Sequence, residues 1–210
     1  MVHTPTPGRR LKTLLATLVV VGVCASGAQT GADSTYGAGT YGSCTYNSCG
    51  ISLTSSGTVS VYITPSSGTA CTVSSDTVSV LTDSSTGYTL QITDTDTTNA
   101  LVGAAYGGNI AGASGTAASP TSLTANTWGY RVDGIDGFGA GPTSTESNGG
   151  VPLVAFAGLP LSSGSPNTIA STTTPADPAA TTTVWYGVCA NTSLVSDTYT
   201  DSITYTALVN

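Results

Sequence analysis

The sequence predicts an all-β protein, an antiparallel immunoglobulin-like or Greek-key β-sandwich of about eight strands behind an N-terminal export signal. Three observations lead there. Apolar side chains recur at every second position in short runs, which is the period of a half-buried strand. Gly, Pro, Asn and Asp separate those runs, and these are the residues of turns. Beyond the first 28 residues no long stretch has a helical period.

Taken in order, the 210 residues divide into a signal peptide (1–28), a Tyr/Gly repeat leader (29–50) and a sandwich domain (51–210). The front end has a short basic region with Arg9, Arg10 and Lys12, then the apolar run LLATLVVVGV, then the small residues Cys24, Ala25, Ser26, Gly27 and Ala28. That is the order of a secretory signal, with cleavage expected after Ala25 or Ala28. The apolar run is too short to span a bilayer as a helix. The leader carries three pentads headed by Tyr36, Tyr41 and Tyr46. A five-residue step reverses the face of an extended chain each time, so the repeat is not a sheet stripe. It reads as a tyrosine-marked leader or as an arm that pairs with a neighbouring subunit.

In the domain, Val59, Val61 and Ile63 share one face of the first run. Cys71 and Val73 follow, then Val78 and Val80, then Tyr88, Leu90 and Ile92. Trp128, Tyr130 and Val132 share a face, as do Val184, Tyr186 and Val188. Residues 151–157 are almost wholly apolar and read as a strand buried on both sides. Ile203, Tyr205, Ala207 and Val209 form the last stripe. Three segments break the pattern and read as long loops: 103–119, 134–150 and 162–183.

Charge placement excludes several chemistries. His3, Arg9, Arg10 and Lys12 all lie in the signal, so the processed chain keeps Arg131 as its single basic side chain against eleven acids, a side-chain net charge of −10. With no lysine and no histidine it has no histidine general base, no lysine Schiff base and no histidine-bound zinc. One arginine cannot build a nucleic-acid surface. Lysine also guards exposed sheet edges, so its absence makes strand addition between subunits a natural mode of assembly.

Four cysteines remain after processing: Cys44, Cys49, Cys71 and Cys189. An even count in an exported chain points to disulfides; four cysteines allow three pairings, of which a local Cys44–Cys49 bridge with a long Cys71–Cys189 clasp is favoured. No cofactor is expected, apart from two candidate Ca²⁺ positions. One is Asp133 and Asp136 on a Gly-rich turn; the other is Asp94 and Asp96, with Asn99 nearby. Asp133, Asp136 and Glu146 near Trp128 and Tyr130 suggest a carboxylate site beside aromatic rings. Trp128, Tyr130 and Trp185 are the candidate platform for a sugar. Arg131 is expected to form a structural ion pair with Asp133 or Asp136.

The Tyr-Gly pentads, the strands SGTVSVYITPSSGTACTVSSDTVSV and TGYTLQI, the run WGYRVDG and the ending DTYTDSITYTALVN together carry a resemblance. Residues 36–210 resemble secreted surface proteins of bacteria, notably of small-genome candidate-phylum lineages. The last segment is similar to the closing strand of wall-associated and fimbrial β-sandwich domains. The resemblance implies a surface role and carries no catalytic residues with it. The expected function is therefore a secreted or surface-displayed structural or adhesive protein, not an enzyme. Its partners would be other surface subunits or molecules on a host or neighbouring cell, with no nucleic acid and no membrane span after processing. The alternatives are a carbohydrate-binding module and, after it, a carboxylate-based glycoside hydrolase.

Overall fold

The computed structural model describes residues 50–210 and the backbone of residues 14–24. The described residues form an all-β sandwich of twelve strands. In chain order these are β1 (Leu14–Cys24), β2 (Ile51–Ser55), β3 (Val59–Ile63), β4 (Thr69–Thr82), β5 (Tyr88–Asp94) and β6 (Leu101–Gly103). They continue with β7 (Asn109–Gly112), β8 (Thr127–Arg131), β9 (Glu146–Gly149), β10 (Asn167–Ser171), β11 (Ala176–Asn191) and β12 (Thr198–Val209).

One layer carries β10, β5, β12, β1 and β3; the other carries β7, β8, β11 and β4, with β2 and β9 on the far edge of β4. β6 pairs with β12 and β7, and β7 pairs with β8, so this short link joins the two layers. The sheet is mixed. Most pairs are antiparallel as expected, but β1 runs parallel to β12, and β7 parallel to β8. The strands beyond the expected eight are mainly short ones. β10, for example, has Ile169 as its one fully buried apolar residue, too weak a signal for a period-two pattern.

The core follows the alternation. β3 buries Val59, Val61 and Ile63; β5 buries Tyr88, Leu90 and Ile92; β12 buries Tyr199, Ile203, Tyr205 and Ala207. From the facing layer come Val78, Val80, Trp128, Tyr130, Val184, Tyr186 and Val188. Fully burying an aliphatic side chain of this kind contributes about 1.5–3 kcal/mol. Val209, expected on the same stripe, lies past the end of the core and is exposed.

A smaller apolar cluster covers the outer face of the β4–β11 layer. Cys71 and Val73 have the opposite parity to Val78 and Val80, so they point away from the main core. They pack with Cys189, Ala113, Leu123 and Phe156. Here the 151–157 run departs from expectation. It is a strap, bridged to Tyr130 of β8 at Ala157 and to the loop residue Thr121 at Phe156, and Leu153 is fully exposed. Pro152 lies within it and Pro160 just beyond it, and proline cannot donate to a ladder. The strap lies close because Gly129 and Gly187 face each other in β8 and β11. A β-carbon on Gly187 would come within 2.8 Å of the Phe156 ring, and one on Gly129 within 2.5 Å of the Ala157 carbonyl.

Cys71 and Cys189 are directly opposite in the β4–β11 ladder and are joined by a disulfide. The expected long clasp is present, closing a separation of 118 residues. In the chain-entropy account a loop of that size is worth about 4–5 kcal/mol. Cys44 and Cys49 lie outside the described residues.

The expected ion pair is also present, and its partner is Asp133. Arg131 is buried, and its Nε donates to Asp133 Oδ1 at 2.6 Å and to Thr143 Oγ1 at 2.7 Å. Its two terminal nitrogens donate to the carbonyls of Ala155 and Gly139. The single cation of the domain thus ties the Gly-rich 134–150 segment and the strap to β8.

Candidate functional site

Three carboxylates converge where β5 leaves β12. β5 pairs with β12 as far as Asp94 opposite Ile203. One further backbone bond joins Thr95 N to Ser202 O at 3.0 Å. Two successive Asx turns then lift the chain away. Asp94 Oδ1 accepts from Asp96 N at 2.9 Å, and Asp96 Oδ1 accepts from Thr98 N at 2.6 Å. The chain returns as β6, which pairs with β12 at Tyr199 and Thr200. Asp201 stands on β12 between these two pairings. The segment at 160–162 clamps the turn from outside, with Pro160 O accepting from Asp94 N at 2.8 Å and Ser162 N donating to Asp96 O at 2.9 Å.

Asp94, Asp96 and Asp201 each offer a carboxylate oxygen, and these oxygens lie within 4.8 Å of one another. Asp94 is fully buried, Asp201 is 8% exposed, and Asp96 faces solvent. Asp201 Oδ1 accepts from Ser202 N at 2.7 Å. Asp94 Oδ2 and Asp201 Oδ2 are buried and have no hydrogen-bond partner. Burial raises the Asp201 carboxyl, and the charge of Asp94 raises it further, to about 8. Burial also raises Asp94. Among the described residues no basic side chain balances these three acids, since Arg131 is committed to Asp133. Such a set can share a proton or hold a hard cation through oxygen.

Two of these acids, Asp94 and Asp96, were legible as a candidate metal pair from their spacing; Asp201 was not. A signal for it did exist. Counting back by two from Ile203 places Asp201 on the buried face, as counting on from Ile92 places Asp94 there. The same count back from Val78 reaches Asp76, which is also fully buried. Asp76 Oδ1 accepts from Ser56 N at 2.9 Å and also from the Ser56 hydroxyl, holding the β2–β3 turn to β4. Asn99, expected near the first two acids, has other contacts. Its carbonyl accepts from Trp128 Nε1 at 2.8 Å, and its amide packs over Gly112.

The other candidates are placed differently from expectation. Asp133, one of the expected cation ligands, is taken up by Arg131 and by the N–H and hydroxyl of Thr143. Asp136 begins a 3-10 turn with Phe138 and makes no ion pair with Arg131. The aromatic platform is not assembled either. Trp128 and Tyr130 are core residues, 1% and 0% exposed, and the Tyr130 hydroxyl accepts from Asn167 Nδ2 at 2.6 Å. Trp185 is half-buried and packs with the outer cluster, of opposite parity on β11 to Tyr186. A sugar cannot stack on rings that fill the core. Glu146 stands in β9, opposite Val73, so it gains no ring from Trp128 or Tyr130.

A second feature is the slot that β1 fills. Residues 15–24 pair in parallel with 198–207 of β12, and residues 14–18 pair antiparallel with 59–63 of β3. The strand thus lies inside the layer with a neighbour on each side. No helix among the described residues is long and apolar enough to cross a membrane. No protein-family model matches the chain, and no curated protein matches it.

Proposed function

We propose that this chain is an exported protein that serves on the cell surface as a structural or adhesive subunit, joined to its neighbours by strand insertion. The observation that carries the reading is the position of β1. Residues 14–24 contain the apolar run of the expected export signal, and they are also the strand between β12 and β3. Cleavage after Ala25 or Ala28 removes that strand. Ten residues of β12 and five of β3 then lose their pairing on that side.

Unpaired backbone groups demand partners, and a long edge free of lysine is a template for another strand. Strand addition satisfies the ladder with main-chain bonds. The donor we assign is residues 29–49, from the leader of a second copy. It begins at the new N-terminus, and its 21 residues exceed the ten that the slot pairs. The Cys71–Cys189 disulfide supports an oxidising compartment.

The test is intact mass and electron microscopy of the exported protein. The reading expects an N-terminus at residue 26 or 29 and particles larger than one chain. Retention of residues 14–24, or a uniform population of single chains, would contradict it.

A further inference from the structure

We infer that Asp94, Asp96 and Asp201 form a binding site for a divalent hard cation, with Ca²⁺ as the ion it suits. The inference stands on the geometry of the three acids, and only the affinity expected of it rests on the surface-subunit reading.

An acidic cluster alone would not be enough, because carboxylates gather on many surfaces. Two observations set this one apart. Asp94 has no solvent exposure, and its Oδ2 has no hydrogen-bond partner; Asp201 Oδ2 is in the same position at 8% exposure. A buried carboxylate oxygen without a donor carries a desolvation cost that nothing in the fold offsets. Both belong to a group whose oxygens lie within 4.8 Å of one another. Secondly, among the described residues no cation is free to compensate them. Every basic side chain except Arg131 lies in the first twelve residues, and Arg131 is buried on Asp133. A proton shared by Asp94 and Asp201 offsets part of the acids' charge, and a cation from solution would displace it and offset the rest.

The donor set selects the ion. All three ligands are oxygens, and no histidine or cysteine stands among them, so a soft or borderline metal gains little here. Ca²⁺ accepts six to eight oxygens in flexible geometry, and three carboxylates, mono- or bidentate, leave room for water on the exposed Asp96 side. Mg²⁺ gives up its water reluctantly and prefers fewer carboxylates. The remaining carboxylate oxygens are already oriented. Asp94 Oδ1 is held by Asp96 N, Asp96 Oδ1 by Thr98 N, and Asp201 Oδ1 by Ser202 N. Both Asx turns therefore serve to point the acids at a common place. The ion would pin the β5–β6 crossover onto β12.

The experiment uses the full chain, calcium chloride as the probe, and EDTA and magnesium chloride as controls. Calorimetric titration is expected to show one site of Kd about 10⁻⁴–10⁻³ M, the range of extracellular calcium modules. Ten millimolar calcium is expected to raise the thermal midpoint by roughly 4–8 °C over EDTA. Asp201→Asn is expected to abolish both effects. Asp96→Asn changes an exposed side chain and keeps the oxygen that Thr98 uses, so it should fold and lose calcium affinity at least about tenfold. No heat of binding together with equal midpoints in calcium and EDTA would overturn the inference and leave a carboxyl pair that shares a proton. Binding of undiminished affinity in Asp96→Asn and Asp201→Asn would also overturn it, by placing the ion elsewhere.

Discussion

The hydroxyls of Tyr186 and Tyr205 meet at 2.6 Å in the middle of the sandwich, one from each layer. Neither ring touches solvent. Their bond is the one direct polar stitch seen between β11 and β12 among the described residues. Burial drives both phenols far above the ordinary tyrosine range, and for each the other tyrosine and the charge of Asp76 also bear on the shift.

A base-sensitivity prediction comes from that pair. The unfolded chain loses tyrosine protons near pH 10, whereas the folded chain keeps them to higher pH. Folded tyrosine then binds more protons than unfolded, so stability falls as pH rises above about 10. Below that pH the contribution is complete. Absorbance at 295 nm and circular dichroism should therefore change together in base. Phenolate appearing well before the sheet signal is lost would show that the hydroxyls are not sealed.

Removing one hydroxyl of the pair tests its energetics. Tyr186→Phe leaves Tyr205 without its partner and is expected to cost about 1–3 kcal/mol in urea unfolding. In the cycle with Tyr205→Phe, the two single losses should sum to more than the double loss, because the same bond is broken in each. Strict additivity would contradict the stitch.

The Arg131–Asp133 link makes an acid-side prediction of opposite sign. Burial raises the Asp133 carboxyl, but the N–H and hydroxyl of Thr143 and the guanidinium of Arg131 outweigh it and hold the group below its usual range. A depressed carboxylate stabilises above its unfolded value, near pH 4, and the stabilisation is lost as pH falls through the folded value. The stability gap between wild type and Asp133→Asn should be full at pH 6 and shrink below about pH 4. Arg131→Met strips a buried pair of one partner and is expected to cost about 3 kcal/mol. A gap that does not vary with pH would contradict this account.

The disulfide joins directly opposed residues of the two longest strands in their layer, and both cysteines are fully buried. Thiol reagent should not label Cys71 or Cys189 in the unreduced, denatured protein. Replacing both by Ala is expected to lower stability by about 2–5 kcal/mol. Free thiols at these two positions in the exported protein would contradict the pairing.

Much of the fold was legible because period two was strong where strands bury one face. Val59, Val61 and Ile63, or Tyr88, Leu90 and Ile92, sit where alternation puts them. The 151–157 run misled because a strap over an outer face needs the same apolar residues as a buried strand, and Pro152 and the pair of facing glycines are what distinguish them. Trp128 and Tyr130 drew attention as a platform through their chemistry, yet their parity with Val132 already assigned them to the core. Asp201 escaped because an acid in an apolar stripe reads as the end of the stripe. Its meaning depends on β5 and β6 pairing with β12 on either side of it, and that is a matter of topology.

The measurement that bears most directly on the surface-subunit account is light scattering of the exported chain beside a version lacking residues 29–49. The account predicts that the exported chain assembles beyond a monomer and that the shortened one remains a single chain with β12 open. Single chains in both samples would contradict it, as would assembly that survives loss of the leader.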